Sequence, residues 1–388
     1  MCCVLLMSAV MLSYAAAGVG LCTSPQKENS PLHTEAIQTM AESVVPTALS
    51  LSPSPVRVRS TADTRQALSR EELHALRLAP GGMPFGVKFL TEGVSIVGFG
   101  DVETDGKAIN PAGAAGLRER DVIVGINGTP IAGASQLTEA IEKCDGKPIR
   151  LTCKRAGREF SVDLLPVYSK EESRYKTGIW VRDNGAGIGT VTFILPENGM
   201  FAGLGHGICD ADTGEPIAMR RGTVSDVTIS SVVRGAAGKP GELKGYFNAT
   251  KTGSLIGNTP CGVWGVFSKL PSGVGETMEL GLRDEIREGD AYILSTLDNN
   301  QICRYNVRLS NINREAQASK CFTVTVTDPA LIAASGGIVQ GMSGSPIIQD
   351  GKLVGAVTHV LINDPTTGYG IFIENMLNAV NLPVKKAS

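Results

Sequence analysis

Three observations predict a mainly β chain with more than one domain. Glycine is over-represented, with 46 in 388 residues against an average share near 7%. Short runs rich in Val, Ile and Thr recur between Gly, Asn and Asp turn signals, as in strands joined by tight turns. The length accommodates two or three domains at roughly 100–200 residues each. No Gly-x-y period is present, which excludes collagen. The 36 Lys and Arg against 38 Asp and Glu leave a net charge of −2, so no nucleic-acid partner is expected.

Residues Val4 to Leu21 are apolar or small apart from Ser8, Ser13 and Tyr14, and no charge precedes Lys27. The run is between a signal-peptide core and a minimal spanning helix in length, and Ala15-Ala16-Ala17 offers a cleavage pattern. Residues 1–22 are therefore read as a signal peptide or an N-terminal membrane anchor rather than a buried core helix, with the rest of the chain exported. Residues 23–79 form a flexible linker rich in Ser, Pro, Thr and Glu (TSPQKENSP, SLSPSPVRVRS). It ends in SREELHALRL, where Ser69 is placed to cap a short helix with Leu73, Leu76 and Leu78 on its apolar side. Cys144, Cys153, Cys209, Cys261, Cys303 and Cys321 are scattered through apolar, strand-like surroundings and are read as buried free thiols.

The character changes at Pro80. PGGMPFGVKFLTEGVSIVGFGDV gives two strands, and Ala114 to Leu117 a helical turn. Asp121 to Ile126 is a strand closed by the Asn127-Gly128 turn, and Ser135 caps a helix carrying Leu137, Ala140 and Ile141. Ile149 to Arg155 and Arg158 to Leu164 then alternate as a hairpin across Ala156-Gly157. This order, with AGLRERDVIVGING at its centre, resembles a PDZ domain of exported proteases and places that domain at 80–167. In such a domain Pro84, Phe85, Gly86 and Val87 would form the loop that receives a peptide carboxylate, the peptide adding to the sheet edge. A packing or gating module without an external ligand is the alternative. Arg120 stands where such domains usually have Gly. After a charged connector, residues 177–388 are Gly-punctuated and β-patterned, enough for one double-barrel or sandwich domain.

Gly341-Met342-Ser343-Gly344-Ser345-Pro346 is the sharpest chemical signal. A nucleophilic serine needs a bend that exposes its oxygen and backbone amides aimed at the developing oxyanion; Gly341 and Ser343 would supply those amides. The motif continues as IIQDGKLVGAVTHV, two strands about Asp350-Gly351, as in chymotrypsin-like proteases. The α/β-hydrolase elbow is excluded because Ser345 stands where it needs Gly. Of four histidines, His33 and His74 lie in the linker. His359 lies on the strand after the serine, where packing or a side-chain hydrogen bond is its expected role. His206, in the Gly-rich AGLGHGICDADTG loop, is the expected base. A metal site from His206, Cys209, Asp210 and Asp212 lacks a second His or a Cys pair, so no metal and no cofactor are expected. The third member stays open among Asp210, Asp212, Asp226 and Asp328. Met342 replaces the Asp that pairs with a newly cut N-terminus in digestive proteases, which argues against activation of that kind.

From about residue 80 to 380 the chain resembles the stage IV sporulation protein B family, PDZ-containing serine peptidases of endospore-forming bacteria. PFGVKF, KTGIWVRDNGAGIGTVTF, GHGICDADTG, TDPALIAASGGIVQGMSGSPIIQDGK and GAVTHVLINDPTTGYGIFIENML carry the resemblance. It implies a PDZ domain followed by a chymotrypsin-like double β-barrel, a triad of His206, Asp328 and Ser343, and Thr358 in support. It implies export across the forespore membrane into the intermembrane space, initially membrane-anchored. It also implies self-cleavage near the tether, with the chain's own N-terminal segment as a partner in cis or trans. The protein substrate would be a membrane-anchored regulator of an intramembrane metalloprotease, whose release leads to late sigma-factor activation. A non-catalytic PDZ adaptor that binds membrane proteins is the competing expectation.

Overall fold

The computed structural model describes residues 68–210, 214, 216–298 and 301–380. The expected leader at 1–22 and the linker up to residue 67 lie outside the described residues. Among the described residues, no helix is long and apolar enough to cross a membrane.

The final part of the expected linker is folded. Helix α1 (Arg70–Ala75) carries a capping box: Ser69 Oγ accepts from the Glu72 amide, and the Glu72 carboxylate accepts from the Ser69 amide. Leu73 and Leu78 are buried in the larger hydrophobic core, Arg70 pairs with Asp284 at 2.6 Å, and the Leu78 amide donates to the Met278 carbonyl. A flexible tether ending at residue 79 is thus corrected: residues 68–79 belong to the folded body, because their leucines bury apolar surface there.

The first barrel has six strands: β1 (Pro84–Phe99), β2 (Ile179–Leu195), β3 (Met200–Gly203), β4 (Met219–Val233), β5 (Glu242–Thr259) and β6 (Gly262–Phe267). Their hydrogen-bonded order is β2-β3-β6-β5-β4-β1, and β1 pairs back onto β2, closing the ring. Phe85, Val87, Val191, Phe201 and Val263 fill its interior, with Phe85 edge-on to Phe201 at 5.7 Å.

Strands β1 and β2 are longer than the barrel needs. Pro84–Leu90 pairs with Asn184–Thr190 inside the barrel, and beyond a register shift Ser95–Phe99 pairs with Ile179–Arg182. The second stretch belongs to a separate core of Val94, Ile96, Leu117, Ile123, Leu137 and Leu151, against which Ile179 and Val181 pack. That core is the PDZ domain, built with α2 (Pro111–Ala114), α3 (Ala134–Glu142) and the strands Val122–Ile126, Ile149–Arg155 and Arg158–Leu164. The PDZ domain is therefore an insertion at the tip of a barrel hairpin. Boundaries at 80–167 and 177–388 cut through shared strands.

This corrects the expected carboxylate loop. Val87 is paired with Gly187 on one side and Val224 on the other, and Phe85 and Val87 are each only 2% exposed. A segment paired on both edges, with its side chains filling a barrel, has no amides left to receive a peptide terminus. Arg120, where a Gly was expected, keeps the turn at a left-handed φ of 76°. The next residue, Asp121, is fully buried; its carboxylate accepts from Arg155 Nε and Nη2 at 2.6 and 2.7 Å.

The second barrel is closed in the order β7-β8-β9-β12-β11-β10. Its strands are β7 (Gly289–Thr296), β8 (Ile302–Ser310), β9 (Phe322–Val326), β10 (Pro346–Gln349), β11 (Lys352–Leu361) and β12 (Asp364–Phe372). Helix α4 (Pro329–Ser335) follows β9, and α5 (Ile373–Ala379) buries Met376 and Leu377 against the same core as Phe322, Ile347 and Phe372.

The insertion has a direct test. Replacing residues 92–182 by Asn-Gly, a turn suited to a two-residue hairpin, should leave a cooperatively unfolding double barrel. Excising 80–165 should not, because it removes β1; thermal unfolding of the two variants decides.

Candidate active site

The nucleophile segment runs from α4 to β10 and is fastened across the barrel boundary. The Thr190 amide donates to the Ser343 carbonyl at 2.9 Å, Thr190 Oγ1 to the Gly341 carbonyl at 2.8 Å and Thr192 Oγ1 to the Gly344 carbonyl at 2.7 Å. Gly344 is indispensable to that approach: it has a φ of 96°, and a Cβ there would lie 2.0 Å from the Thr190 carbonyl oxygen. Met342 is fully buried, anchoring the loop from beneath. With the carbonyls so engaged, the amides of Gly341 and Ser343 donate to no group among the described residues. The serine's own amide and that of the residue two positions before it are a pair of donors such as an oxyanion requires.

Ser343 Oγ donates to the Thr358 carbonyl at 2.6 Å, while Thr358 Oγ1 is bonded to the Ser319 carbonyl at 2.7 Å. Thr358 therefore holds the nucleophile through its backbone, and attack requires the hydroxyl to rotate toward a base.

That base side is delivered by the turn after β3. Leu204 and Gly205 are both left-handed (φ 66°), and a Cβ on Gly205 would stand 2.8 Å from Thr358 Cγ2. The tight turn brings His206 against the second barrel. His206 Nδ1 lies 2.9 Å from the Gly207 carbonyl; an Nδ1–H bond there leaves Nε2 with the lone pair. Burial lowers the His206 pKa from its ordinary 6.5, opposed by the Gly207 bond. His206, Ser343, Thr358 and His359 line one cavity of about 270 Å³.

His359 is the residue that sequence reasoning underrated. Its ring lies 4.8 Å from that of His206, tilted by 36°. Burial, then the His206 and Lys320 charges, push its pKa down to about 3, so it stays neutral through the physiological range. The signal was its place one residue beyond Thr358, but only the fold of β11 over the β3 turn brings the two imidazoles together.

The carboxylate expected third is not brought to His206. Asp328 Oδ1 accepts from the Ala330 and Leu331 amides at 2.9 and 3.3 Å, and Oδ2 from the Asn306 amide at 3.1 Å. It is the N-cap of α4, with Pro329 at the first helical position, and it does not line the cavity. Asp226 is exposed on β4, Asp210 pairs with Arg182 at 3.6 Å, and Asp212 lies outside the described residues. Among the described residues no carboxylate bonds His206; its partner is the Gly207 carbonyl. No group of three metal-ligating side chains forms among them either.

A histidine loop from one six-stranded barrel and a serine loop from a second meet at a shared cavity, and a PDZ domain interrupts the first barrel. These define a PDZ-bearing serine endopeptidase of the chymotrypsin-like double-barrel class. Residues 173–377, more than half of the chain, match the SpoIVB peptidase S55 family, and residues 107–155 match a PDZ domain. The chain belongs to the SpoIVB peptidase S55 family.

Among solved structures, the PDZ domain of the SdrC-like protein from Listeria monocytogenes is similar at 20% identity. That match covers 23% of this chain and 87% of the other, with a TM-score of 0.19. The active form of the Rv3671c protease from M. tuberculosis is similar at 15% identity, over 52% of this chain and 78% of that one, TM-score 0.30. The HtrA-type protease AlgW with a decapeptide matches at 15% identity over 50% and 52%, TM-score 0.31. No curated protein matches the chain.

Three outcomes are expected. Asp328→Asn, which keeps an N-cap acceptor, should retain most peptidase activity, whereas Asp328→Ala should lose about 1 kcal/mol of stability. A loss of about ten-thousandfold in the Asn variant, the size seen when a triad aspartate is so changed, would return Asp328 to the base. The acid limb of kcat/KM should have its midpoint below 6.5, since His206 must be neutral to act and burial favours that form. A midpoint above 6.5 contradicts the assignment.

Proposed function

We propose that this serine endopeptidase acts in sporulation signalling, with Ser343 as nucleophile, His206 as the proton-transferring base and the Gly341 and Ser343 amides as oxyanion hole. One observation carries the catalytic assignment: Ser343 and His206 line a single cavity beside two amides without an internal acceptor. Removal of the Ser343 proton by His206 Nε2 accompanies attack on the substrate carbonyl. The same proton then passes to the leaving amine, and water repeats the sequence on the acyl-enzyme.

Membership in the family supports the finer reading. The peptidase is exported across the forespore membrane while tethered by its N-terminal segment. It cuts itself within the polar, proline-interrupted stretch ahead of α1, and cleaves a membrane-anchored regulator of an intramembrane metalloprotease, so that a late sigma factor becomes active. Its own N-terminal segment is a partner in cis or trans. The sequence of residues 23–67 suits such a cut, since Pro, Ser and Thr replace any apolar periodicity. The adaptor reading gains support from no observation at the site, where the two free amides lie beside a serine that shares a cavity with His206.

An alkyl fluorophosphonate should label the full chain in a reaction that requires both Ser343 and His206. Ser343→Ala should abolish labelling and self-cleavage, by analogy with losses of about a millionfold on removal of a triad serine. In sporulating cells the same variant should leave the membrane-anchored regulator intact. Self-cleavage persisting in Ser343→Ala would end the autocatalytic reading.

A further inference from the structure

Gln340, directly before the oxyanion-hole residue Gly341, is a buried polar side chain with nothing to bind. It is 8% exposed, yet neither Oε1 nor Nε2 has a hydrogen-bond partner among the described residues. Its backbone is fixed: the Gln340 amide donates to the Gly241 carbonyl at 2.9 Å, and its carbonyl accepts from the Leu243 amide at 2.8 Å. An unpaired buried carboxamide forfeits the hydration of both its donor and its acceptor, and such groups in folded proteins are normally satisfied. Such a group beside a nucleophile calls for an explanation.

The surroundings indicate what fills it. Gln340 lines the cavity of Ser343 and His206 and also a second cavity of about 380 Å³, whose walls include Leu243, Tyr246 and Phe247. The two cavities share Ala186, Gly187, Ile188, Gln340 and Gly341, so they are neighbouring parts of one cleft. Ala186–Gly189 is paired with β1 on one edge and with no strand on the other among the described residues. On that other edge Thr190 directs its N–H to the Ser343 carbonyl and its C=O to the Leu204 amide. By strand alternation Ile188 turns its own N–H and C=O the same way, into the cleft. An open strand edge and an unpaired carboxamide at the same cleft are matched by one ligand chemistry, an extended polypeptide backbone, in which each peptide group offers a donor and an acceptor.

We infer that Gln340 is a substrate-binding residue: its carboxamide pairs with a peptide group of an extended substrate strand that lies along Ile188 and runs from the Ser343 cavity into the second one. The assignment rests on the peptidase reading and adds to it the residue that selects a main chain in extended form.

The test uses the full chain, the alkyl fluorophosphonate as reporter of Ser343 and a random-sequence decapeptide pool as competitor. In the wild type the pool should slow labelling. In Gln340→Leu, measured against its own unprotected rate, the pool concentration that halves labelling should rise about tenfold, the size of one lost hydrogen bond to a desolvated group. The melting temperature of Gln340→Leu should equal or exceed that of the wild type, because the substitution replaces an unpaired amide by an apolar side chain. Equal protection of both proteins, no protection of the wild type, or a marked fall in melting temperature would each overturn the assignment. Absence of Ser343-dependent labelling in the wild type would instead strike the peptidase reading itself, and this proposal with it.

Discussion

The seam between the two barrels depends on Thr190 and Thr192. Two hydroxyls and one amide from β2 hold three carbonyls of the nucleophile loop, at Gly341, Ser343 and Gly344. Each bond turns a peptide group so that its carbonyl faces the first barrel. The alternate amides then face the cavity, which is how an oxyanion hole arises from backbone alone. The close approach that these bonds need is possible only because Gly344 carries no side chain. The serine belongs to the second barrel, where the Thr358 carbonyl holds its hydroxyl, but the backbone of its loop is turned by the first.

The base is oriented by similar means. A main-chain carbonyl, that of Gly207, occupies the position at Nδ1 where a carboxylate was expected, and the neutral ring of His359 packs beside it. A carbonyl fixes the tautomer but stabilises a developing imidazolium less than a charged carboxylate does. Burial of both rings adds to the cost of charging them. Both pKa values lie below 6.5, so the unfolded chain binds protons that the folded one does not between those values and 6.5. Folding stability therefore falls through this linkage as pH drops below 6.5, down to about 3 for His359.

How much of this could be read from sequence differs by feature. The PDZ order was legible because its turns, Asn127-Gly128 and Ala156-Gly157, punctuate alternating strands. The Gly-Met-Ser-Gly-Ser loop was legible because its glycines are a stereochemical demand, and His206 because few histidines compete with it. The capping box at Ser69 was equally local. Pro84 to Val87 was misread since a Gly-flanked apolar segment looks the same as a ligand loop or as a barrel strand; only its partners Gly187 and Val224 tell them apart. Asp328 shows the limit of carrying a role along a motif. Followed by Pro329, it has the sequence of an N-cap, and its carboxylate accepts from two amides of that helix and from the Asn306 amide. Gln340 had no sequence signal of its own, and the place of His359 beside Thr358 was too weak a one, because burial of a polar side chain is a property of the tertiary contacts around it.

The placement of the PDZ domain within a hairpin carries a consequence for the order of events during synthesis. Strand β1 leaves the ribosome long before β2, and the whole PDZ sequence separates them. Closing so large a loop in an unfolded chain is entropically costly, and a folded PDZ domain reduces that cost by holding its two ends side by side at Ser95–Phe99 and Ile179–Arg182. The closure of the first barrel is thus eased by a domain that contributes no side chain to the catalytic centre. The oxyanion geometry, which hangs from β2, is thereby reached at a smaller entropic cost when that domain folds first.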